Sequence, residues 1–402
     1  MVLGAAPAVL ALAAAVAVLP PLLLRAPFST WFYRALVLLV ISCPCALVIS
    51  TPVAIVSAIS NAARHGVLVK GGAHLEAIGR ACAVAFDKTG TLTEGRPAVT
   101  DVQVANSGVD ELNHTPERVL ALAASLDAHS EHPVAQAIVT EARRRGLSLQ
   151  PADDYQQLVG HGGMATLDGR TYYVGNHALF TQRVPHAKDV CQQAEALEAQ
   201  GKTAVLVGSE RAVLGLIGVA DRVREASVGV VQELRRLGIE HTILLTGDNA
   251  RTAQAIGQAV GITKVRAGLL PQDKVQAVEG LLAECGQVVM VGDGVNDAPA
   301  MARATVGIAM GAAGTDAALE TADIVLMSDE LERVPYVIHL GRSMLRNIRQ
   351  NIALSILIKG VFLLLALFGV ATLWMAVFAD VGTSLIVTFN GMRLLGASQG
   401  RS

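Results

Sequence analysis

Two runs of this sequence carry no charge at all, Val2 to Leu24 and Ala35 to Ser60. A third, Asn351 to Met392, carries only Lys359 and Asp380. About 20 apolar residues suffice to cross a bilayer as a helix, and within lipid each backbone polar group must be paired inside its own segment. The first two runs supply one span each. The third is long enough for two with a break near Gly369–Thr372, so the sequence predicts four transmembrane helices. The first run does not read as a cleaved signal peptide: it has no basic start, is too long, and places Pro20-Pro21 where small residues are needed for cleavage.

Composition agrees. Of 402 residues, 52% are apolar and 16% charged, and the mean hydropathy is +0.46. Soluble domains average about 25% charged, so disorder is excluded and a wholly soluble globule is disfavoured. A net charge of −2 offers no basic bulk for nucleic acid. Five scattered cysteines do not make a disulfide framework, which points to free thiols in a reducing compartment. Arg64, His65 and Lys70 follow the second span, Arg342, Arg346 and Arg349 precede the third, and Arg393 follows the fourth. The positive-inside rule then places the long stretch from Asn61 to Gln350 in the cytoplasm.

That stretch reads as α/β. Short apolar strands run into acidic residues: Val84-Ala85-Phe86 before Asp87, Ile243-Leu244-Leu245 before Asp248, and Val288 to Val291 before Asp293. Helical segments such as Ala226–Leu237 and Ala250–Val260 lie between, which argues a parallel sheet with its ligand site beyond the strand ends. The gap between the first two strands is far longer than one crossover requires, and an inserted domain at 97–217 accounts for it.

The chemistry concentrates at those strand ends. In Asp87-Lys88-Thr89-Gly90-Thr91-Leu92-Thr93 an aspartate precedes a Gly/Thr-rich turn, so its carboxylate can attack phosphorus while backbone N–H groups cradle the phosphate. Thr246-Gly247-Asp248 offers a hydroxyl and an N–H, Lys274 a cation, and Asp293-Gly294-Val295-Asn296-Asp297 two carboxylates and an amide. Clustered carboxylates beside a phosphate repel unless a cation lies between, and Mg2+ is the usual solution.

With these motifs in this order, the sequence resembles the P-type ATPases along essentially its whole length. The resemblance implies an α/β haloacid-dehalogenase-like (Rossmannoid) phosphorylation domain at 66–96 and 218–345, with an inserted α+β nucleotide-binding domain at 97–217. It also implies transmembrane pairs at 1–65 and 346–402. Asp87 becomes the phosphorylated residue. Asp293, the Asp87 carboxylate and the Thr89 carbonyl become Mg2+ ligands with Asp297 close by, Thr246 and Lys274 bind the phosphoryl group, and Asp221 and Arg224 match the hinge motif.

Two features point to the heavy-metal-transporting (type IB) branch. Ser130-Glu131-His132-Pro133, Gly160-His161-Gly162 and Gly175-Asn176 resemble its ATP site, with the histidine orienting the nucleotide and the glycines admitting it. Without the family, His132 before a proline reads as a helix-start residue. Cys43-Pro44-Cys45 sits in the second span, where proline loosens the helix and two thiolates can present soft ligands to a metal ion. Lys359 and Asp380 resemble the zinc/cadmium/lead subgroup, since a charge at mid-bilayer costs about 3 kcal/mol and normally lines a pathway. The bland alternative is an ion pair that only joins two helices.

The expectation is therefore ATP-driven export of Zn2+, Cd2+ or Pb2+ across a bacterial plasma membrane. A Cu+ pump is the alternative within transport, and a non-pumping partner of an intact pump the alternative outside it. Family members carry eight helices and an actuator domain with a Thr-Gly-Glu loop, which does not occur here. The sequence thus corresponds to the carboxyl-terminal half, either as a fragment or with a separate chain supplying the rest.

Overall fold

A computed structural model describes residues 2–25, 27–43, 45–105, 115–158, 160–184, 186–293, 297–311 and 320–396. The chain divides into two compact units, Met1–Ala81 with Arg333–Ser402, and Cys82–Glu332.

The first unit is helical, with helices Val2–Leu24, Phe28–Ser42, Cys45–Arg64, Arg333–Leu367 and Leu373–Met392. Among the described residues, three stretches, Phe28–Arg64, Arg333–Ala366 and Leu373–Gly396, are long and apolar enough to cross a membrane. The first predicted span is one helix of 23 residues, Val2–Leu24. Leu22, Leu23, Phe368, Trp374 and Phe378 are each more than 70% exposed, an apolar exterior suited to lipid rather than water. The second predicted span is interrupted where expected: one helix ends at Ser42, Cys43 is extended, and the next begins at Cys45. The third and fourth separate at Gly369 (φ 75°), after which the Thr372 hydroxyl caps Leu373–Met392. Helix Arg333–Leu367 is continuous for 35 residues, so the boundary drawn at 345/346 falls inside it.

Asparagines fasten these helices. Asn351 donates to the Val387 carbonyl at 3.2 Å, Asn390 to Asn351 Oδ1 at 2.8 Å, and Asn347 to the Asn390 carbonyl at 2.8 Å. Such bonds matter because an apolar exterior provides no hydrophobic drive to hold helices together in lipid. Asn61 donates to the Leu394 carbonyl at 2.7 Å and accepts from the Tyr336 hydroxyl at 3.2 Å.

In the second unit six strands pair in parallel, in the order Ile324–Leu326, Val306–Ala309, Val288–Gly292, Ala83–Asp87, His241–Leu245, Lys264–Arg266. The three strands with acidic ends predicted from sequence are therefore neighbours, with Ala83–Asp87 in the middle. Ala83, Ala85, Ile243, Leu245, Val288 and Met290 bury one face against Val278, Leu281 and Met301.

The insertion is an antiparallel sheet in the order Thr93–Val104, Val213–Val223, Thr203–Ser209, Arg170–Gly175, Gly162–Leu167, Asp153–Leu158. Alternation along Thr203–Ser209 places Val205 and Val207 against helices Pro116–Asp127 and Pro133–Arg144. Ala204 and Leu206 face helices His177–Arg183 and Lys188–Ala199 on the other side. Strands Thr93–Val104 and Val213–Val223 pair along their length, from Thr93 with Val223 to Val104 with Gly215, and run through both predicted edges of the insertion at 97 and 217.

The expectation of free thiols is corrected for four of the five cysteines. Cys43 is bonded to Cys45 and Cys82 to Cys285, leaving Cys191 free. The Cys82–Cys285 pair is 203 residues apart in sequence, and only the fold makes the two neighbours.

Candidate functional site

Asp87 closes the central strand, and the next six residues form a tight loop. Thr89 is extended (ψ 127°) and Gly90 lies in the left-handed region (φ 74°), which an L side chain resists. Four side chains hold the loop. The Thr93 hydroxyl donates to the Lys88 carbonyl at 2.9 Å and Ser227 to the Leu92 carbonyl at 2.9 Å. Arg224 donates to the Thr93 carbonyl at 2.9 Å, the Gly90 carbonyl at 3.0 Å and the Asp329 carboxylate at 2.7 Å. The single Thr93 hydroxyl proton is shared between the Lys88 carbonyl and Asp221 Oδ2, 2.5 Å away, and Asp221 Oδ1 accepts from the Arg96 N–H at 3.1 Å. The hinge pair therefore braces the loop directly.

Lys274 Nζ lies 2.6 Å from Asp87 Oδ1 and 2.7 Å from Asp297 Oδ1, with all three side chains at most 9% exposed. Burial, then the Asp297 charge, pushes the Asp87 carboxyl up to about 7 against the opposing pull of Lys274. Burial also raises Asp297. Burial works against the Lys274 charge, yet Asp87 and Asp297 outweigh it and the ammonium is held above its usual value. Asp297 Oδ2 is buried without a hydrogen-bond partner. Asp293 lies beside the loop, its Cβ 3.4 Å from where a Cβ on Gly90 would stand. Two carboxylates share one ammonium, a third lies beside the loop, and one carboxylate oxygen is orphaned; this donor set fits a hard divalent cation such as Mg2+, which Asp87, Asp293 and Asp297 would hold with the Thr89 carbonyl.

Lys88 forms a second ion pair, 2.6 Å from Asp248. The Thr246 hydroxyl, buried, accepts from the Asp248 N–H at 3.1 Å, and a Cβ on Gly247 would stand 3.4 Å from the Leu269 carbonyl oxygen. Asn296 lies outside the described residues.

His132 caps helix Pro133–Arg144, its Nδ1 accepting from the Val134 N–H at 3.3 Å, so the helix-start reading holds. The same imidazole is near enough to Asp248 and Lys88 to feel both: burial holds it below its ordinary value, with Asp248 opposing and Lys88 assisting. Glu131 beside it is exposed. Asn176 donates to the Gly160 carbonyl at 2.9 Å and caps helix His177–Arg183 through the Leu179 N–H. The glycines divide. Gly160 (φ 74°) would direct a Cβ into open space. A Cβ on Gly162 would lie 2.1 Å from the Val174 carbonyl oxygen, and one on Gly175 2.2 Å from that of His161. Those two are glycine because paired strands touch there.

In the helical unit Lys359 reaches Asp380 at 3.2 Å and also donates to the Cys43 carbonyl. Lys359, Asp380 and the Cys43–Cys45 break thus converge, although the two sulfurs are bonded to each other rather than free.

The family model of haloacid dehalogenase-like hydrolases matches residues 83–305, more than half of the chain and the segment that carries every acidic strand end described above. The chain belongs to this family. Among haloacid dehalogenase-like relatives, a probable cadmium-transporting ATPase of Alkalihalophilus pseudofirmus is 48% identical over 393 residues, covering 97% of this chain and 54% of its own length. A zinc/cadmium/lead-transporting P-type ATPase of Escherichia coli is 45% identical, covering 97% of this chain and 51% of its own. A crystal structure of a zinc-transporting PIB-type ATPase in the E2.Pi state superposes with a TM-score of 0.75 at 45% identity, covering 97% of this chain and 62% of that one. The resemblance to type IB P-type ATPases is borne out, and the chain spans about half the length of the curated relatives it matches.

Sequence reasoning named Asp87, Lys274 and Asp297, which the structure brings together, and matched Asp221 and Arg224 to a hinge motif without foreseeing that Arg224 clamps the loop carbonyls.

Proposed function

We propose that the chain supplies the phosphorylation, nucleotide and metal-path elements of an ATP-driven exporter of Zn2+, Cd2+ or Pb2+ in a bacterial plasma membrane, with the second unit cytoplasmic. The observation that carries this reading is the buried Asp87 carboxylate at the end of the central strand, held by Lys274 beside an orphaned Asp297 oxygen. An ionised Asp87 oxygen attacks the terminal phosphorus of ATP; the phosphorus–oxygen bond to ADP breaks and its electron pair leaves on ADP. Lys274 and the Thr246 hydroxyl face the charge that spreads over the transferring group. Mg2+, when bound, supplies positive charge against the phosphate oxygens and neighbouring carboxylates. His132 and Asn176 belong to the nucleotide side, His132 being the group that senses the Asp248–Lys88 pair.

The metal path runs through Cys43, Cys45 and Asp380. Two thiolates and a carboxylate suit a divalent, borderline-soft ion. The sulfurs ligate as thiolates only after a dithiol reductant supplies the two electrons that break the bond between them and is itself oxidised to a disulfide. Lys359 is assigned as the internal cation that occupies Asp380 when the metal leaves; a Lys359→Ala variant that releases metal with unchanged pH dependence removes that role.

The deciding experiment incubates the chain in detergent with ATP labelled on its terminal phosphate and Mg2+. The expected result is an acid-stable, hydroxylamine-labile label that is absent from Asp87→Asn. An unlabelled wild-type chain that still binds ATP overturns the reading.

A further inference from the structure

We propose that His177, His186 and Cys191 form a second metal site, specific for thiophilic divalent cations, on the inserted domain, made of residues that belong to neither the phosphorylation loop nor the membrane path. One ligand atom from each of the three lies within 4.8 Å of the others, and all three residues are half-buried. His177 opens helix His177–Arg183, Cys191 sits in the first turn of helix Lys188–Ala199, and His186 lies in the connection between them. Two rigid helix starts and a short connection therefore aim three donors at one point.

His177 Nε2 lies 3.1 Å from Cys191 Sγ, and the two imidazoles meet edge to face with centroids 5.3 Å apart. His186 Nδ1 sits 2.8 Å from the Val184 carbonyl, so it carries the proton and donates it there. That leaves the lone pair on Nε2. A backbone carbonyl that fixes the tautomer in this way is the usual outer support of a ligating histidine. Two imidazoles and a thiolate select Zn2+ or Cd2+ over Mg2+ or Ca2+, and three protein ligands leave the fourth tetrahedral position for water or another donor. Binding displaces the thiol proton to solvent and changes no oxidation state.

The location gives the site a consequence. His177 directly follows Asn176, whose side chain holds the Gly160 carbonyl at the edge of the proposed nucleotide site. Metal on His177 thus bears on the residue next to the one that shapes that edge.

The test exploits the cysteine pairing. Without reductant, Cys191 is the one cysteine outside a disulfide, so a cadmium–thiolate charge-transfer band has a single source. Titrating the full chain with Cd2+ in detergent, we expect one equivalent to raise that ultraviolet band and Cys191→Ser to abolish it. His177→Gln and His186→Gln each weaken binding by roughly tenfold or more while keeping the thiol. No band at saturating Cd2+, or a band of equal affinity in both histidine variants, overturns the proposal. The readout does not depend on phosphorylation: a chain that binds Cd2+ here but takes no label on Asp87 refutes the transport reading and leaves this one standing.

Discussion

Lys274 balances two carboxylates that burial would otherwise neutralise. Replacing it with Met leaves Asp87 and Asp297 facing each other without a cation. Breaking a buried pair in this way costs about 3–5 kcal/mol, and losing one charge-stabilising donor slows transfer by about 10²–10³-fold. Rapid-quench measurement of Asp87 labelling at saturating ATP checks the rate, and a thermal melt checks the stability. Asp127 is a different residue-scale case, at the end of helix Pro116–Asp127, where burial pushes its carboxyl from 3.8 up to about 7. A raised value means that the folded state holds the proton more tightly. Its contribution is complete below about pH 4, is lost as pH rises toward 7, and stays lost above. Asp127→Asn cannot ionise, so it should gain up to about 4 kcal/mol over wild type near pH 8 and almost nothing near pH 4. Melting curves across that range that stay parallel would contradict this. Neither effect was visible in the sequence as such. The motif named Asp87 and Lys274, because strand ends and acidic residues are local, but the burial of Asp127 depends on which helix face meets the sheet.

Among the elements, the phosphorylation loop and the antiparallel sheet each rest on one kind of contact. Arg224→Ala frees the Gly90 and Thr93 carbonyls and the Asp329 carboxylate. Because small misplacements of a reacting group are costly, we expect labelling of Asp87 to slow by about 10-fold or more with ATP affinity unchanged. Faster amide exchange across 88–93 would accompany it. The glycines give a paired prediction. Gly162→Ala places a Cβ 2.1 Å from a backbone oxygen and should cost more than about 3 kcal/mol, whereas Gly160→Ala meets only a conformational penalty of about 1–2 kcal/mol. Thermal melts of the two variants distinguish them. Sequence reasoning assigned both glycines to the nucleotide, because their spacing says nothing about which strand lies opposite. Strand Gly162–Leu167 pairs with Arg170–Gly175, and the contact between Gly162 and Gly175 follows from that register. The helices were legible for the opposite reason: an uncharged run needs no partner to be recognised. The asparagines that join those helices carry no such signature, since Asn347, Asn351 and Asn390 become a network only when two helices lie side by side.

For the whole molecule, the proposed activity requires metal in the helical unit to alter chemistry at Asp87. Asp380→Ala is the sharpest probe. If the cargo is a divalent ion held by a carboxylate, metal-stimulated labelling of Asp87 is lost while ATP binding persists. If the cargo is Cu+, stimulation survives. The disulfides limit how such an assay is run, because Cys43 and Cys45 offer no thiolate until reduced, and stimulation should appear only after reductant is added. The two long strands that leave and re-enter the parallel sheet, Thr93–Val104 and Val213–Val223, are hydrogen-bonded to each other rather than being two loose tethers. A two-stranded ribbon bends readily out of its own plane and resists shear within it. The inserted segment is therefore joined to the parallel sheet through one paired strap, and any bending at its foot reaches the loop through the bonds from Arg224 to the Gly90 and Thr93 carbonyls.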